Sequence, residues 1–273
     1  SAEATGLFFN LPPKTTALHC LSSQFIAGKM MWVRALHLGW HLTLVEPNAN
    51  PLKNKIESFD FAAMVPLQAQ NSIDQLHQIK KLIIGGASLS TQWEEKLTLI
   101  PTQIYQTYGM TETITHIAVK KLGQKNYSCL PNVSIGTDER NCLVINLPYL
   151  SSKEIITNDI VNLVSNNSFE WLGRYDHIVN SGGIKLIPEK IEEKLHPFIS
   201  APFFIAGLPD KNLGQKLILI IETSPQTFEF ESIFSKASLS KFEIPKKIYI
   251  IDSMIKTENN KINRIDTLNF INK

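Results

Sequence analysis

The chain has 273 residues, with 27 lysines and arginines against 25 aspartates and glutamates, a net charge of +2, 43% hydrophobic residues and 19% charged ones. Those values exclude a disordered chain and leave room for one large or two smaller domains with a sizeable core; near-neutral charge argues against a nucleic-acid partner, because the one basic stretch, 241–247, is broken by Glu243 and Pro245. Cys20, Cys129 and Cys142 are odd in number and far apart, which argues against a disulfide framework or zinc site and for a reducing cytoplasm, while no apolar run reaches the roughly 18 residues of a membrane span and the first residues lack a secretory signal's basic start.

Residues 2–10 read as a short helix ended by Pro12-Pro13, and 16–21 as a buried strand. Over 28–38 the spacing of Met31, Ala35 and Leu38 predicts a helix. Strand patterns follow at 41–46, 61–67, 81–84 and 102–106, with helices predicted at 72–79 and after Ser90 or Thr91, where Trp93 and Leu97 stand four apart. Strands alternating with helices imply a mainly parallel sheet. Beyond about 115 the strand-like runs are short (117–119, 143–147, 155–156, 160–164, 171–172), which predicts a β-rich subdomain. Near Gly173 the texture changes again. Strand at 176–180, a turn at Ser181-Gly182-Gly183, strand at 184–187, a helix starting at Pro188, strands at 203–206, 216–222 and 247–251, and a helix at 230–237 make a small α+β unit. The fold class is therefore α/β, a large N-terminal domain over 1–174 and a small mobile α+β domain over 175–273.

Three segments carry candidate chemistry. Tyr105-Gln-Thr-Tyr-Gly-Met-Thr-Glu-Thr113 directly follows a strand, where α/β sheets present ligand loops. Within it Gly109 permits close backbone approach, Tyr108 offers a flat face for a base, Thr111 a hydroxyl, and Glu112 a carboxylate for Mg²⁺ on a phosphate. Taken alone, it is also a polar turn. The run from Trp171 to Glu192 sets Arg174, Asp176 and a Gly-Gly turn between two domains; by itself it also reads as a hairpin with a surface ion pair. Near the C-terminus, Lys261 stands in a polar loop, as many solvated lysines do.

In this order the segments resemble the adenylate-forming superfamily of acyl-CoA synthetases, luciferases and peptide-synthetase adenylation domains. Gly85-Gly86-Ala87 resembles the family's loop beside adenine, and Tyr108-Gly109-Met110-Thr111-Glu112-Thr113 its aromatic–Gly–x–Thr–Glu motif. Thr157-Asn158-Asp159 resembles its Thr–Gly–Asp, with asparagine replacing a glycine, a substitution that asparagine's tolerance of left-handed backbone makes mild. Gly173-Arg174-x-Asp176 resembles the hinge motif, Ser181-Gly182-Gly183 the turn after it, and Asn260-Lys261 the terminal lysine motif. One departure is large: the family's Ser/Thr/Gly-rich phosphate loop ending in Pro-Lys is absent. The expectation is that it lies upstream of residue 1 and that this polypeptide alone lacks a cradle for the ATP phosphates.

The resemblance implies an acid–CoA ligase that uses ATP, Mg²⁺ and CoA: a carboxylate attacks the α-phosphorus, and CoA then displaces AMP. Glu112 would hold Mg²⁺, Thr111 contact the α-phosphate, Asp159 and Arg174 engage the ribose, and Lys261 bridge the attacking carboxylate and α-phosphate. Asp176 would be the hinge, and Ser181, Gly182 and Gly183 would face CoA. The loop at 22–31 should line the acyl pocket with Gly28, Lys29, Arg34 and His116. A cation there suggests an acid with a second, unreacted carboxylate; solvated helix residues are the plain alternative. The compact length and this segment resemble the 2-succinylbenzoate–CoA ligase branch of menaquinone biosynthesis. Other aryl- or acyl-CoA ligases, an aryl-adenylating enzyme serving a carrier protein, and a fragment that only binds adenylate stay open. A homodimer is compatible with this reading and not required by it.

Overall fold

The computed structural model describes residues 1–86, 89, 91–223, 228–257 and 262–271. Two compact units emerge: Ser1–Thr157 with Val161–Trp171, and Asn158–Ile160 with Leu172–Lys273. No described helix is long and apolar enough to cross a membrane.

In the first unit, α1 (Ala2–Phe8) precedes β1 (Thr16–His19), α2 (Ile26–Leu38), β2 (His41–Leu44), β3 (Phe59–Met64), α3 (Pro66–Asn71), β4 (Ile79–Ile84), α4 (Thr91–Thr98) and β5 (Gln103–Gly109). These five strands are parallel neighbours in the order β2-β1-β3-β4-β5. Such strands are covered on both faces, and the side chains divide accordingly. Leu18, Phe59, Ala62, Met64, Leu82 and Ile84 enter one core, while Ala17, Phe61, Ala63 and Ile83 enter a second with Met31 and Ala35 of α2. Each large aliphatic or aromatic side chain fully buried this way contributes ~1.5–3 kcal/mol. The order reverses between β1 and β3, the place where open α/β sheets leave a ligand crevice at their carboxyl ends. Buried Gln68 stitches that edge: its amide donates to Cys20 O (2.9 Å) and Asn48 O (3.0 Å), and its carbonyl accepts from Val65 N (3.2 Å).

The β-rich stretch continues the sheet antiparallel from β5 through β6 (His116–Lys121) and β7 (Tyr127–Cys129) to β11 (Ser168–Arg174), β10 (Ile155–Ser165), β9 (Cys142–Asn146) and β8 (Ser134–Thr137). The two runs expected at 155–156 and 160–164 are one long strand.

In the second unit, β12 (Val179–Ser181) and β13 (Ile184–Leu186) form a hairpin, followed by α5 (Pro188–Leu195), β14 (Phe203–Asp210), β15 (Gly214–Glu222), α6 (Phe230–Lys236), β16 (Lys247–Ile251) and α7 (Arg264–Ile271). β14 pairs antiparallel along one edge of β15; β12 and β16 share the other. Strand alternation again sorts the core. Phe203, Ile205, Leu217 and Leu219 meet Ile191 and Leu195 of α5 and Phe234 of α6, whereas Phe204, Ala206, Ile218 and Ile220 meet Leu268 and Ile271 of α7.

Three local expectations change. The helix expected at 72–79 is α3 followed by a 3-10 segment at Ile73–Gln78, because Pro66 supplies a ready first residue and Gln68 caps Val65. The strand expected at 176–180 opens as a 3-10 turn at Tyr175–His177 before β12. Helix α7 was not expected at all.

Candidate functional site

The motif loops of the first unit all leave carboxyl ends of its parallel strands: 20–25 after β1, Gly85-Gly86 after β4, and Tyr108–Glu112 at the end of β5. Gly85 sits against Thr107, whose Oγ1 lies 2.5 Å from where a Cβ would stand. A Cβ at Gly109 would come within 2.6 Å of the backbone of Thr115 and His116, so glycine is required where the β5–β6 register shifts. Tyr108 is half-buried, with edge contacts to Phe169 (5.2 Å) and Tyr127 (5.8 Å). Thr111 and Glu112 are exposed on a one-turn 3-10 segment, Thr111–Thr113. Thr113, which had no expected role of its own, staples that segment: its hydroxyl accepts from Met110 N (3.0 Å) and donates to Thr115 O (2.8 Å). The next residue, Ile114, has φ 66° and ψ −48°, with Thr115 N donating to Thr113 O at 2.7 Å. That is a positive-φ γ-turn on a β-branched residue, a strained conformation costing on the order of 1–3 kcal/mol. Ala87 lies outside the described residues.

Behind this loop, α2 separates the two expected pocket cations. Five residues at about 100° each turn Lys29 and Arg34 about 140° apart; Lys29 is exposed, and Arg34 is 2% exposed. Gly28 is packed on the backbone of Ser22, with 2.2 Å from a would-be Cβ to Ser22 O. Arg34 Nη2 donates to Thr115 Oγ1 (3.3 Å) and to Nδ1 of buried His116 (3.4 Å), and Nη1 approaches Met31 Sδ (3.8 Å). Burial lowers the guanidinium pKa to about 10, which leaves it charged at neutral pH. Burial, then the Arg34 charge, holds His116 well below the usual histidine range, so its ring is neutral. With Nδ1 accepting, Nε2 carries the proton. Among the described residues neither that Nε2 nor Arg34 Nε has a hydrogen-bond partner, and no carboxylate lies within ion-pair reach of Arg34.

The second unit holds the other expected residues. Asp159, buried in β10, lies 3.7 Å from Arg174 Nη1, and Arg174 Nη2 donates to Asp176 at 3.1 Å. Asn158 stands in the extended strand and is not left-handed; its amide donates to both Asp176 oxygens (3.2 and 3.1 Å). The sequence explanation for this asparagine therefore changes from backbone tolerance to side-chain hydrogen bonding. Gly182 and Gly183, both at positive φ (58° and 81°), form the two-residue turn that pairs Ser181 with Ile184, the conformation that most restricts the residues a hairpin can use. Lys261 lies outside the described residues. What is described is the base of its loop: Lys256 bridges Ile262, and Asn263 N donates to Ile255 O at 2.8 Å.

No family model matches the chain. A solved structure from Dyadobacter fermentans, an acyl-CoA synthetase (AMP-forming)/AMP-acid ligase II-like protein, is 37% identical, covers 99% of this chain and 82% of that one, and superposes with a TM-score of 0.63. The o-succinylbenzoate coenzyme A synthetase of Bacillus subtilis, solved with ATP and magnesium ion, reaches a TM-score of 0.84 at 18% identity over 98% of this chain and 64% of that one, a likeness of fold. The 2-succinylbenzoate–CoA ligase of Lactococcus lactis is 24% identical over 266 residues, 88% of this chain and 58% of that protein. A large mixed-sheet unit followed by a smaller α+β unit is thus the two-domain α/β architecture of AMP-forming acyl-CoA synthetases. More particularly, the chain belongs to the acyl-CoA synthetase (AMP-forming)/AMP-acid ligase II-like family. It spans less than two thirds of the length of the curated relatives it matches, 58% and 63% for the Lactococcus lactis and Bacillus cereus ligases.

Proposed function

We propose that this chain serves an ATP-dependent acid–CoA ligase that works through an acyl-adenylate, and that its acid carries a second carboxylate, with 2-succinylbenzoate the leading candidate. The observation that carries the substrate class is Arg34: a buried, charged guanidinium without a carboxylate among the described residues, beside a buried imidazole N–H without an acceptor. Burying an isolated charge is costly unless something pairs it. A ligand carboxylate would accept from both groups and supply the missing countercharge, and a planar guanidinium fork suits that geometry.

In the reaction, one carboxylate oxygen forms a bond to the α-phosphorus as the bond to pyrophosphate breaks; the CoA thiolate then attacks the acyl carbon and AMP leaves with its electron pair. Little covalent work falls to the protein, so positioning and charge stabilisation dominate. Glu112 is an exposed lone carboxylate, and among the described residues no three His, Cys, Asp or Glu side chains converge on a metal site. Such a donor suits Mg²⁺, which keeps several waters and takes one or two carboxylates with substrate phosphates; bound there, the ion would neutralise charge on the phosphates. Tyr108 and Gly85-Gly86 would face the base, Asp159 and Arg174 the ribose. Lys261 would meet the reacting carboxylate during the first half-reaction only, and Gly182-Gly183 would serve the second.

ATP–pyrophosphate exchange across a panel of acids tests this in the intact protein. Exchange should be strongest with aryl dicarboxylates, and Arg34→Met should erase that preference while leaving exchange with monocarboxylates. Exchange with benzoate or fatty acids but not with 2-succinylbenzoate removes the substrate assignment; no exchange with any acid removes the ligase reading.

A further inference from the structure

Glu189, the second residue of α5, is a carboxylate that the proposed chemistry leaves unused. Its side chain is 10% exposed, and its Oε1 accepts from Nδ1 of His177 at 2.5 Å. Its Oε2 is buried without a hydrogen-bond partner among the described residues and rests against Gly173, where a Cβ would stand 2.5 Å away. One carboxylate therefore touches the chain before and after Arg174, Tyr175 and Asp176. Inside that bracket Ile178 N donates to Tyr175 O (3.2 Å), and Asp176 accepts from Arg174 Nη2 and from the Asn158 amide, both at 3.1 Å. Arg174 Nη1 in turn lies 3.7 Å from Asp159. Burial opposes ionisation of Glu189, but the His177 hydrogen bond and the charge of Arg264, 3.9 Å away, outweigh it and hold the carboxyl below its usual range. Arg264, the first residue of α7, is itself anchored: Nη2 donates to Glu192, one turn further along α5, at 2.8 Å, and Nη1 donates to Ile205 O at 3.2 Å.

We propose that Glu189 is a positioning residue for the ribose site, tying the 173–177 turn to α5 through His177 so that Arg174 and Asp176 keep their places beside Asp159. The inference rests on the reading of Asp159 and Arg174 as ribose-binding residues. All of these groups lie in the second unit. An acid in the first turn of a helix already gains from the helix dipole while exposed. Glu189 is instead buried with one oxygen unpaired, an unfavourable placement that stabilising a helix end does not require. Gly173 fits the same picture. Its φ is 155°, and a Cβ there would also come within 2.6 Å of Ile187, so the chain has no side chain where it crosses the carboxylate just before Arg174. A carboxylate that accepts from Nδ1 fixes the orientation of an imidazole, which makes His177 a rigid tie between turn and helix.

The test measures binding of AMP and of 2′,3′-dideoxy-AMP to the intact protein by calorimetry. Hydrogen exchange over 174–178 is read by mass spectrometry, with 217–221 in β15 as the control for general loosening. Glu189→Ala and His177→Leu should each weaken AMP about 10-fold, the loss expected of one charge-assisted hydrogen bond. The double variant should bind no more weakly than either single one, because the two side chains act as one contact. His177→Asn, whose amide N–H can take the place of Nδ1–H, should stay within about twofold of wild type. Dideoxy-AMP should bind wild type and every variant alike, since the turn serves the ribose hydroxyls. Exchange over 174–178 should speed several-fold in the two disruptive variants, with 217–221 unchanged. Wild-type AMP affinity in Glu189→Ala and His177→Leu overturns the proposal. So does an equal loss for AMP and dideoxy-AMP, the mark of a merely structural role, or a loss in His177→Asn as large as in His177→Leu. A wild type that binds AMP and dideoxy-AMP equally removes the ribose reading itself, and the positioning role with it.

Discussion

Arg34 is buried in the first unit and Arg264 is half-buried in the second, and the two guanidinium groups are satisfied in opposite ways. Arg264 has two carboxylates, a carbonyl and a ring around it, all from its own unit. Arg34 has a threonine hydroxyl, a neutral imidazole and a thioether, and among the described residues no anion. A compensated buried charge belongs to the structure; an uncompensated one implies a partner from outside. That contrast separates a cation satisfied within its own unit from one that, in the proposed function, pairs with a substrate carboxylate.

The contrast is easiest to break by removing each cation in turn. Arg264→Met should have the largest effect, a loss of about 3–5 kcal/mol, because it leaves Glu192 buried and unpaired. Denaturant unfolding measures it, and a loss below about 1 kcal/mol would mean the pair contributes little. Arg34→Met should go the other way, neutral or stabilising by about 1 kcal/mol or more, since it deletes a buried charge with nothing to oppose it; marked destabilisation would reveal a counter-ion and undo the substrate argument. Next comes pH. His116 is neutral in the fold but protonates below pH 6.5 once unfolded. Its folded pKa is depressed, so it contributes stability above that value which is lost as pH falls towards the folded pKa. The wild-type Tm should therefore fall more steeply between roughly pH 7 and 5 than that of His116→Gln; parallel curves would show that the ring is not held neutral by burial. The smallest effect belongs to the strained turn. Ile114→Gly should relieve on the order of 1–3 kcal/mol of backbone strain against ~1 kcal/mol of added chain entropy, a net gain of about 1 kcal/mol. A clear loss of Tm would mean that the turn is unstrained.

Much of the fold was legible because it is written locally. Strands buried on both faces read as continuous apolar runs, and 81–84 and 216–222 announced β4 and β15. The turn at Gly182-Gly183 was legible for the same reason: two consecutive positive-φ residues leave little choice but glycine. Helix α7 was not, since only Leu268 and Ile271 of its turns meet the core, and its helical state depends on docking against β14 and β15. Asn158 was misread because a glycine replaced by asparagine suggests backbone, whereas its partner Asp176 lies 18 residues away.

The sequence by itself determined most strands of both sheets, the change of texture between the two units and the turn at Gly182-Gly183, because those depend on side-chain alternation and on motifs a few residues long. Tertiary structure alone decided that Arg34, not Lys29, is the buried cation, and that Arg264 is clamped while Arg34 is not. Arg34 meets His116 82 residues away and Arg264 meets Glu192 72 residues away. Whether a charge is compensated depends on which distant groups the fold brings within a few ångströms, and no local pattern encodes that.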